Sequence, residues 1–120
     1  MTSVLRVVAV VTACMVLAFA LAVKSSPAHP SIDVVAANWK FTPATITLHV
    51  NETTQLRLTS TSGVHGIKSD DLGIPLTTIV PGKFVTVPVT PKKAGTYTLP
   101  CEIMCGPGHA NMKLTVVVEQ

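Results

Sequence analysis

Polar and apolar residues alternate through much of the chain after residue 31, a pattern typical of half-buried β-strands. Residues 45–50 read TITLHV and residues 55–59 read QLRLT, so each segment has one apolar and one polar face. Further strands are predicted at residues 84–89, 96–99 and 114–118. After residue 31 no helical period lasts longer than one turn. The pattern predicts an all-β domain of seven or eight short strands, built as a β-sandwich or small barrel.

Short polar segments separate the predicted strands. Residues 51–53, NET, are interpreted as the hairpin turn between two neighbouring strands, and residues 81–82, PG, as another turn. Pro88 has no amide proton to donate, so its strand is predicted to lie at a sheet edge. By composition, residues 61–73 are interpreted as a loop, apart from residues 64–67.

An uncharged, almost entirely apolar run at residues 7–23 precedes this domain. With Arg6 before it and small residues at its end, the run is typical of a secretory signal peptide cut after Ala22. Its length also fits a short membrane anchor. Either interpretation predicts an exported protein, periplasmic or at the outer face of the cytoplasmic membrane. The chain is thus divided into a signal peptide or N-terminal membrane anchor at residues 1–23, a linker at 24–31 and one domain at 32–120.

Composition argues against a nucleic-acid partner, and it raises the question of whether two of the cysteines form a disulfide. The formal net charge is +3, basic residues are scattered apart from Lys92 and Lys93, and only 4% of residues are aromatic. Nothing in this distribution indicates a nucleic-acid-binding surface. Cys14 lies in the leader, so the exported part has two cysteines, Cys101 and Cys105. In an oxidising compartment such a pair is usually interpreted as a disulfide.

Residues 101–112 read CEIMCGPGHANM and place a histidine and a methionine close to those two cysteines. The segment lies between two predicted strands, and its glycine and proline residues favour a tight loop over a helix. Thiolate and thioether are soft ligands and imidazole is borderline, a combination that selects copper, whereas zinc rarely takes methionine. Cys105, His109 and Met112 therefore indicate a copper site.

A copper site for electron transfer needs a second histidine. His65 follows a predicted strand and lies between glycines, in a segment able to reach one end of the sandwich. His29 lies in the linker and His49 on the polar face of a strand, so both are predicted to be surface residues.

Two arrangements would use these residues differently. A single copper, as in a mononuclear blue-copper carrier, would leave Cys101 idle and take four ligands: His65, Cys105, His109 and Met112. Two copper ions bridged by both thiolates would each take one histidine, with Met112 and the backbone carbonyl of Ile103 as the weaker ligands. A Cys101–Cys105 disulfide is the third alternative, and it leaves His109 and Met112 unexplained.

The spacing C-x-x-x-C-x-x-x-H-x-x-M resembles the dinuclear CuA site of cytochrome c oxidase subunit II. The resemblance runs from Val34 onward and includes four further segments: WKFTP at 39–43, VHG at 64–66, VPGK at 80–83 and GTY at 95–97. It implies a Greek-key cupredoxin β-sandwich and a two-copper site with six ligands: His65, Cys101, the Ile103 carbonyl, Cys105, His109 and Met112. The family often has glutamate where this chain has Ile103, a departure that leaves the main-chain oxygen in place.

The resemblance also implies a function. Proteins of this family take one electron at a time from a donor such as cytochrome c and pass it on, for example within a terminal oxidase. The chain is thus predicted to be an electron carrier and not an enzyme by itself, or else a subunit of an oxidase-type complex, with a copper-delivery chaperone as a further partner. A periplasmic copper carrier or scavenger is the alternative, because the same ligands would serve it.

Overall fold

The computed structural model describes residues 28–120, and the predicted signal peptide or anchor lies outside the described residues. In this part of the chain, no helix has the length and apolar character needed to cross a membrane. One turn of 3₁₀ helix, His109–Asn111, is present. The strands of the described part are β1 (Ser31–Ala37), β2 (Lys40–Thr42), β3 (Thr45–His49), β4 (Thr54–Ser60), β5 (His65–Ser69), β6 (Ile74–Ile79), β7 (Val85–Val89), β8 (Gly95–Pro100) and β9 (Lys113–Glu119).

The strands form two main sheets and one ribbon. The first sheet has the order β2-β1-β4-β7, the second β3-β9-β8, and β5 pairs with β6 alone. β1 runs parallel to β4, and β3 runs parallel to β9, whereas the other pairs are antiparallel. Apolar side chains from both main sheets and from the ribbon form a single buried cluster. The all-β sandwich predicted from the alternation is therefore confirmed.

β4 and β9 show how the alternation produces this core. In β4, every second side chain is buried, with Leu56 and Leu58 wholly inside and Arg57 half-exposed between them. In β9, Leu114 and Val116 are likewise fully enclosed. Fully burying such a side chain contributes about 1.5–3 kcal/mol, so these two strands supply much of the sandwich's stability.

The turn at residues 51–53 is not the hairpin that the sequence predicted. β3 pairs with β9 and β4 pairs with β1 and β7, so this turn carries the chain from one sheet to the other. The amides of Val50 and Asn51 donate to backbone oxygens of Glu119 and Pro91, both outside β3 and β4. Alternation fixes which face of a strand is buried but leaves its partner open, so the pattern could not exclude this crossing.

Other differences are smaller. The segment predicted as loop contains β5, which runs to Ser69 and leaves only a short turn before β6. The described chain has one strand more than the upper predicted number, and the three-residue β2 is too short to show an alternation of its own. The edge position of Pro88 is confirmed, because β7 is the outer strand of its sheet.

Several connections meet at one end of the sandwich, which we call the site end. The turn between β1 and β2 lies here, since Ala37 pairs with Lys40. The connection from β4 to β5 and that from β6 to β7 lie here too, because Ser60 forms a bridge with Pro81. The connection from β8 to β9 completes the end through a hydrogen bond from the Glu102 amide to the Gly66 carbonyl, 2.9 Å.

Candidate metal centre

The cysteine-rich segment is a loop whose base is closed by backbone pairing. β8 and β9 pair up to Pro100 and Lys113, and the Cys101 amide then donates to the Met112 carbonyl at 2.9 Å. The hydrogen bond from Glu102 to Gly66 joins the same loop to β5. One main sheet and the β5–β6 ribbon therefore hold the loop, which restricts how far its side chains can move.

The two thiol sulfurs, one at the base of the loop and one within it, face each other. Cys101 Sγ and Cys105 Sγ are 3.6 Å apart, and both thiols are free. His65 Nδ1 lies 3.9 Å from Cys101 Sγ, and His109 Nδ1 lies 3.5 Å from Cys105 Sγ. Each sulfur thus has an imidazole of its own beside it.

Two weaker donor groups lie against the same sulfurs. The carbonyl oxygen of Ile103 is 3.2 Å from Cys101 Sγ, and Met112 Sδ is 3.8 Å from Cys105 Sγ. The structure therefore brings together all six groups that the sequence singled out. The donor atoms of His65, Cys101 and Cys105 lie within 4.8 Å of one another, close enough to share a metal ion. His29 and His49 are exposed and lie outside this cluster.

The donor set fits copper. Two thiols and a thioether are soft ligands, and two imidazoles are borderline, which is the combination that copper favours over harder cations. Burial raises the pKa of the Cys105 thiol from 9.0 to about 11, and the nearby Cys101 acts in the same direction. A metal that binds here must therefore displace a firmly held proton, so binding releases protons and weakens as the pH falls.

His65 is oriented by a backbone carbonyl that the sequence did not reveal. Its Nε2 lies 2.7 Å from the Ser62 oxygen, so Nε2 carries the proton and donates it. That tautomer leaves the Nδ1 lone pair facing Cys101. The buried hydroxyl of Ser60 lies 3.0 Å from the Ser62 oxygen and 2.7 Å from the Gly63 oxygen, and it holds this turn in place. No pattern of polar and apolar residues predicts a carbonyl's direction.

Trp39 covers the other side of the loop, a contact the sequence also did not reveal. Its indole Nε1 donates to the Cys105 carbonyl at 3.0 Å. A Cβ atom at Gly108 would overlap Trp39 Cγ, and one at Gly106 would lie 3.0 Å from Nε1. The two glycines therefore allow the ring to lie directly against the ligand loop. The G-x-G spacing at residues 106–108 was a signal that another group packs closely against the loop. The sequence interpretation attributed these glycines only to the tight turn.

The side chain of Ile103 has a packing role beside its carbonyl. A Cβ atom at Gly66 would lie 2.8 Å from Ile103 Cδ1, so the isoleucine side chain lies directly on the glycine of β5. This contact and the Glu102–Gly66 hydrogen bond lie at neighbouring positions of the loop. The direction of the Ile103 carbonyl is therefore fixed by apolar packing as well as by the backbone.

A sequence model of the cupredoxin-like domain matches residues 9–118. The chain belongs to the cupredoxin-like family. Among curated proteins, it is similar to cytochrome c oxidase subunit 2 of Thermus thermophilus, at 30% identity over 98 residues. That match covers 82% of this chain and 72% of the relative. A second subunit 2 sequence from the same species matches at the same identity, and there the chain spans 58% of the relative's length.

Solved structures support the same fold. The periplasmic domain of subunit II of cytochrome oxidase from Bradyrhizobium japonicum superimposes with a TM-score of 0.70 and 16% identity, covering 79% of this chain and 87% of that one. A chain of a heme-copper terminal oxidase dimer gives 0.66 and 18%, covering 98% and 95%. At these identities the likeness shows the fold, so the predicted cupredoxin fold is confirmed.

Proposed function

We propose that the protein is a one-electron carrier with a dinuclear copper centre of the CuA type. Two copper ions would be bridged by the two thiolates, and each would take one imidazole and one weaker ligand. The ligands are His65, Cys101, the carbonyl oxygen of Ile103, Cys105, His109 and Met112. Family membership and the similarity to cytochrome c oxidase subunit 2 support copper-mediated electron transfer as the function.

One observation carries the dinuclear part of the proposal: the two sulfurs lie next to each other and each has an imidazole of its own beside it. A mononuclear site needs one thiolate, two imidazoles and a weak thioether. Here Cys101 and Cys105 are 3.6 Å apart, and each has its own histidine within 3.9 Å. A single copper would leave the Cys101 thiol without a role, whereas a two-copper centre would use every donor in the cluster.

When bound, copper supplies the one-electron couple, and the protein's own residues decide how easily that couple is used. Fixed ligands keep the structural change on electron transfer small, and pairing of β8 with β9 together with the contact to Gly66 provides such a frame. His65 and Met112 are wholly buried, so water is kept from these two donors. The groups around the sulfurs then tune the potential.

The proposal extends to the surroundings of the protein. We place it outside the cytoplasmic membrane, where it receives electrons from a donor such as a cytochrome c and passes them toward a terminal oxidase, either alone or as a subunit of an oxidase-type complex. A copper-delivery chaperone would load the site. By itself the domain at residues 32–120 would carry electrons without catalysing a reaction.

Copper stoichiometry and electron paramagnetic resonance of the reduced, copper-reconstituted protein test the proposal. We expect two copper ions per chain and the hyperfine pattern of one electron shared by two equivalent nuclei. One copper per chain with a single-nucleus pattern would instead establish a mononuclear site. Repeated oxidation and reduction without copper loss is expected of a carrier of electrons, whereas ready transfer of copper to a chelator indicates a copper carrier.

Cys101→Ser is the matched substitution, because serine keeps the size of the side chain and removes the buried sulfur. We expect it to abolish the two-nucleus pattern and to leave at most one copper per chain. Thr53→Ser, which keeps a hydroxyl at a part-buried contact with Thr90, is the control and should leave the spectrum unchanged. A spectrum that is unaltered in Cys101→Ser would show that this sulfur is no ligand.

A further inference from the structure

The site end of the sandwich carries a distinct surface around the candidate metal centre. Three of the large apolar side chains exposed at this end are close in the chain or by contact to the candidate ligands: Trp39 at 39%, Val64 at 43% and Met104 at 79%. Val64 and Met104 directly precede His65 and Cys105 in the chain, and Trp39 is hydrogen-bonded to the Cys105 carbonyl. Exposed apolar groups gathered at one place mark an interaction site.

The charges at this end are mostly positive. Lys40 begins β2, Lys113 begins β9 and Lys83 precedes β7, and all three are exposed at the site end. Glu102 is the one carboxylate among the described residues of this end. The carboxylates elsewhere in the described chain lie in the middle of the sandwich or at its far end: Asp33, Glu52, Asp70, Asp71 and Glu119. The site end therefore carries more lysines than carboxylates.

Two of these lysines flank a recess beside the tryptophan. Lys40 and Lys113 line an open cavity of about 240 Å³ together with Trp39 and Asn111. Neither lysine forms an ion pair with a described residue. By contrast, Arg57 and Lys68, which lie away from the site end, are paired with Asp33 and Asp70. The recess thus combines two unpaired ammonium groups, an amide and an aromatic ring next to the ligand loop.

We propose that this face docks a redox partner whose own docking surface is acidic, and that the recess takes a carboxylate side chain of that partner between Lys40 and Lys113. The proposal rests on the proposed electron-carrier function and adds the partner's chemistry to it. Opposite charges steer two proteins together and fix their orientation, while the apolar groups exclude water from the contact. Such docking places the partner against Trp39 and the half-buried Cys105 side of the centre.

Small redox probes of opposite charge test the sign of this face. Hexacyanoferrate(III), an anion, takes one electron from the reduced copper protein and becomes hexacyanoferrate(II). Hexaammineruthenium(II), a cation, gives one electron to the oxidised copper protein and becomes hexaammineruthenium(III). We expect the rate with hexacyanoferrate to fall roughly tenfold between about 10 mM and about 1 M salt, because the Debye length shortens from ~30 Å to ~3 Å over this range. The rate with the ruthenium complex should rise over the same range. The reverse pair of trends overturns the proposal.

Charge reversal locates the effect on the surface. K40E/K113E is expected to slow hexacyanoferrate about tenfold at low salt, and K92E/K93E, two exposed lysines at the far end, is the control with a change under about twofold. Both variants keep the same metal ligands, so the charge of the metal centre does not contribute to the difference in rate between them. The milder variant K40Q/K113Q should slow electron transfer to hexacyanoferrate by an intermediate factor. It replaces K40E/K113E in the test if that variant folds poorly. Equal slowing by the control would show a general net-charge effect and overturn the proposal.

Cross-linking gives a readout that is independent of electron transfer. A carbodiimide joins a partner's carboxylate to a lysine ammonium with loss of water, which the reagent takes up. With a c-type cytochrome of acidic haem face, we expect cross-links at Lys40 or Lys113 in both copper-loaded and copper-free protein, and few at Lys92 or Lys93. Cross-links concentrated on the far end contradict the docking face. Failure to exchange electrons with either small probe counts against the proposed function instead, and cross-linking still decides the docking face.

Discussion

The two halves of the candidate centre are held in different ways. His65 begins β5 and Cys101 directly follows β8; both are buried, and they are hydrogen-bonded to the backbone oxygens of Ser62 and Met112. Cys105 and His109 lie within the loop, are half-exposed, and depend on a single 3₁₀ turn and on the cover of Trp39. The first half is thus set by the fold, whereas the second is set by loop packing, and each should respond to different substitutions.

The two histidines provide the sharpest contrast and the largest expected effect. His65→Ala removes a fully buried ring, so we expect the metal-free, reduced protein to lose about 2–4 kcal/mol in its free energy of unfolding. His109→Ala is the matched control on the half-exposed side, with a loss below about 1 kcal/mol. Both should abolish the two-nucleus copper spectrum. Urea unfolding measures the stabilities, and equal losses would contradict the division into two halves.

Gly108→Ala should disturb the loop half alone. Gly108 has a φ of −88°, which alanine adopts without backbone strain, so the effect isolates the contact of the new Cβ with the Trp39 ring. Displacing the ring is expected to cost about 1–3 kcal/mol. Trp39 is the chain's one tryptophan, so its fluorescence reports the displacement directly.

The double variant Gly108→Ala/Trp39→Ala is the control for that clash. Without the ring, alanine at residue 108 should cost no further stability, and a double-mutant cycle measures the coupling. Additive losses in the cycle would mean that Trp39 does not lie on Gly108 in solution.

Ser60→Ala should have the smallest effect and should act on the half that contains His65. The substitution removes the hydroxyl that holds the Ser62 and Gly63 carbonyls, at an expected cost of about 1 kcal/mol. Nitrogen chemical shifts of His65 should show a changed proportion of the Nε2-protonated tautomer, which a general loss of stability would not produce. Tyr97→Phe removes a hydroxyl bonded to the Lys93 carbonyl at the far end and is the control. An unchanged His65 tautomer in Ser60→Ala would show that Ser60 does not position the ring.

The sequence predicted the donors of the centre better than the structure around them. Cys101, Cys105, His109 and Met112 lie close together in the chain, so their spacing and chemistry alone indicate a shared site. His65 required a further assumption, that the end of β4 lies near the loop, and the structure brings the two together. The folded loop leaves both cysteines as free thiols.

What escaped prediction depends on contacts between distant segments. The pairing of β3 with β9, the Ser62 carbonyl at His65 and the Trp39 ring on Gly108 each join residues whose proximity no local pattern encodes. Alternation reports burial, and residue type reports chemistry, but neither reports which strand lies beside which. Those features therefore needed the three-dimensional structure.

The position of β9 has a consequence for the order of events during biosynthesis. β9 lies in the middle of its sheet, parallel to β3 and antiparallel to β8, although it follows every other described strand in the chain. During translation, therefore, that sheet stays incomplete until β9 has been synthesised. The cysteine loop directly precedes β9 and has no closed base before then. Formation of the candidate centre is thereby coupled to the synthesis of β9, and a chain that stops before β9 exposes both thiols without a frame to protect them.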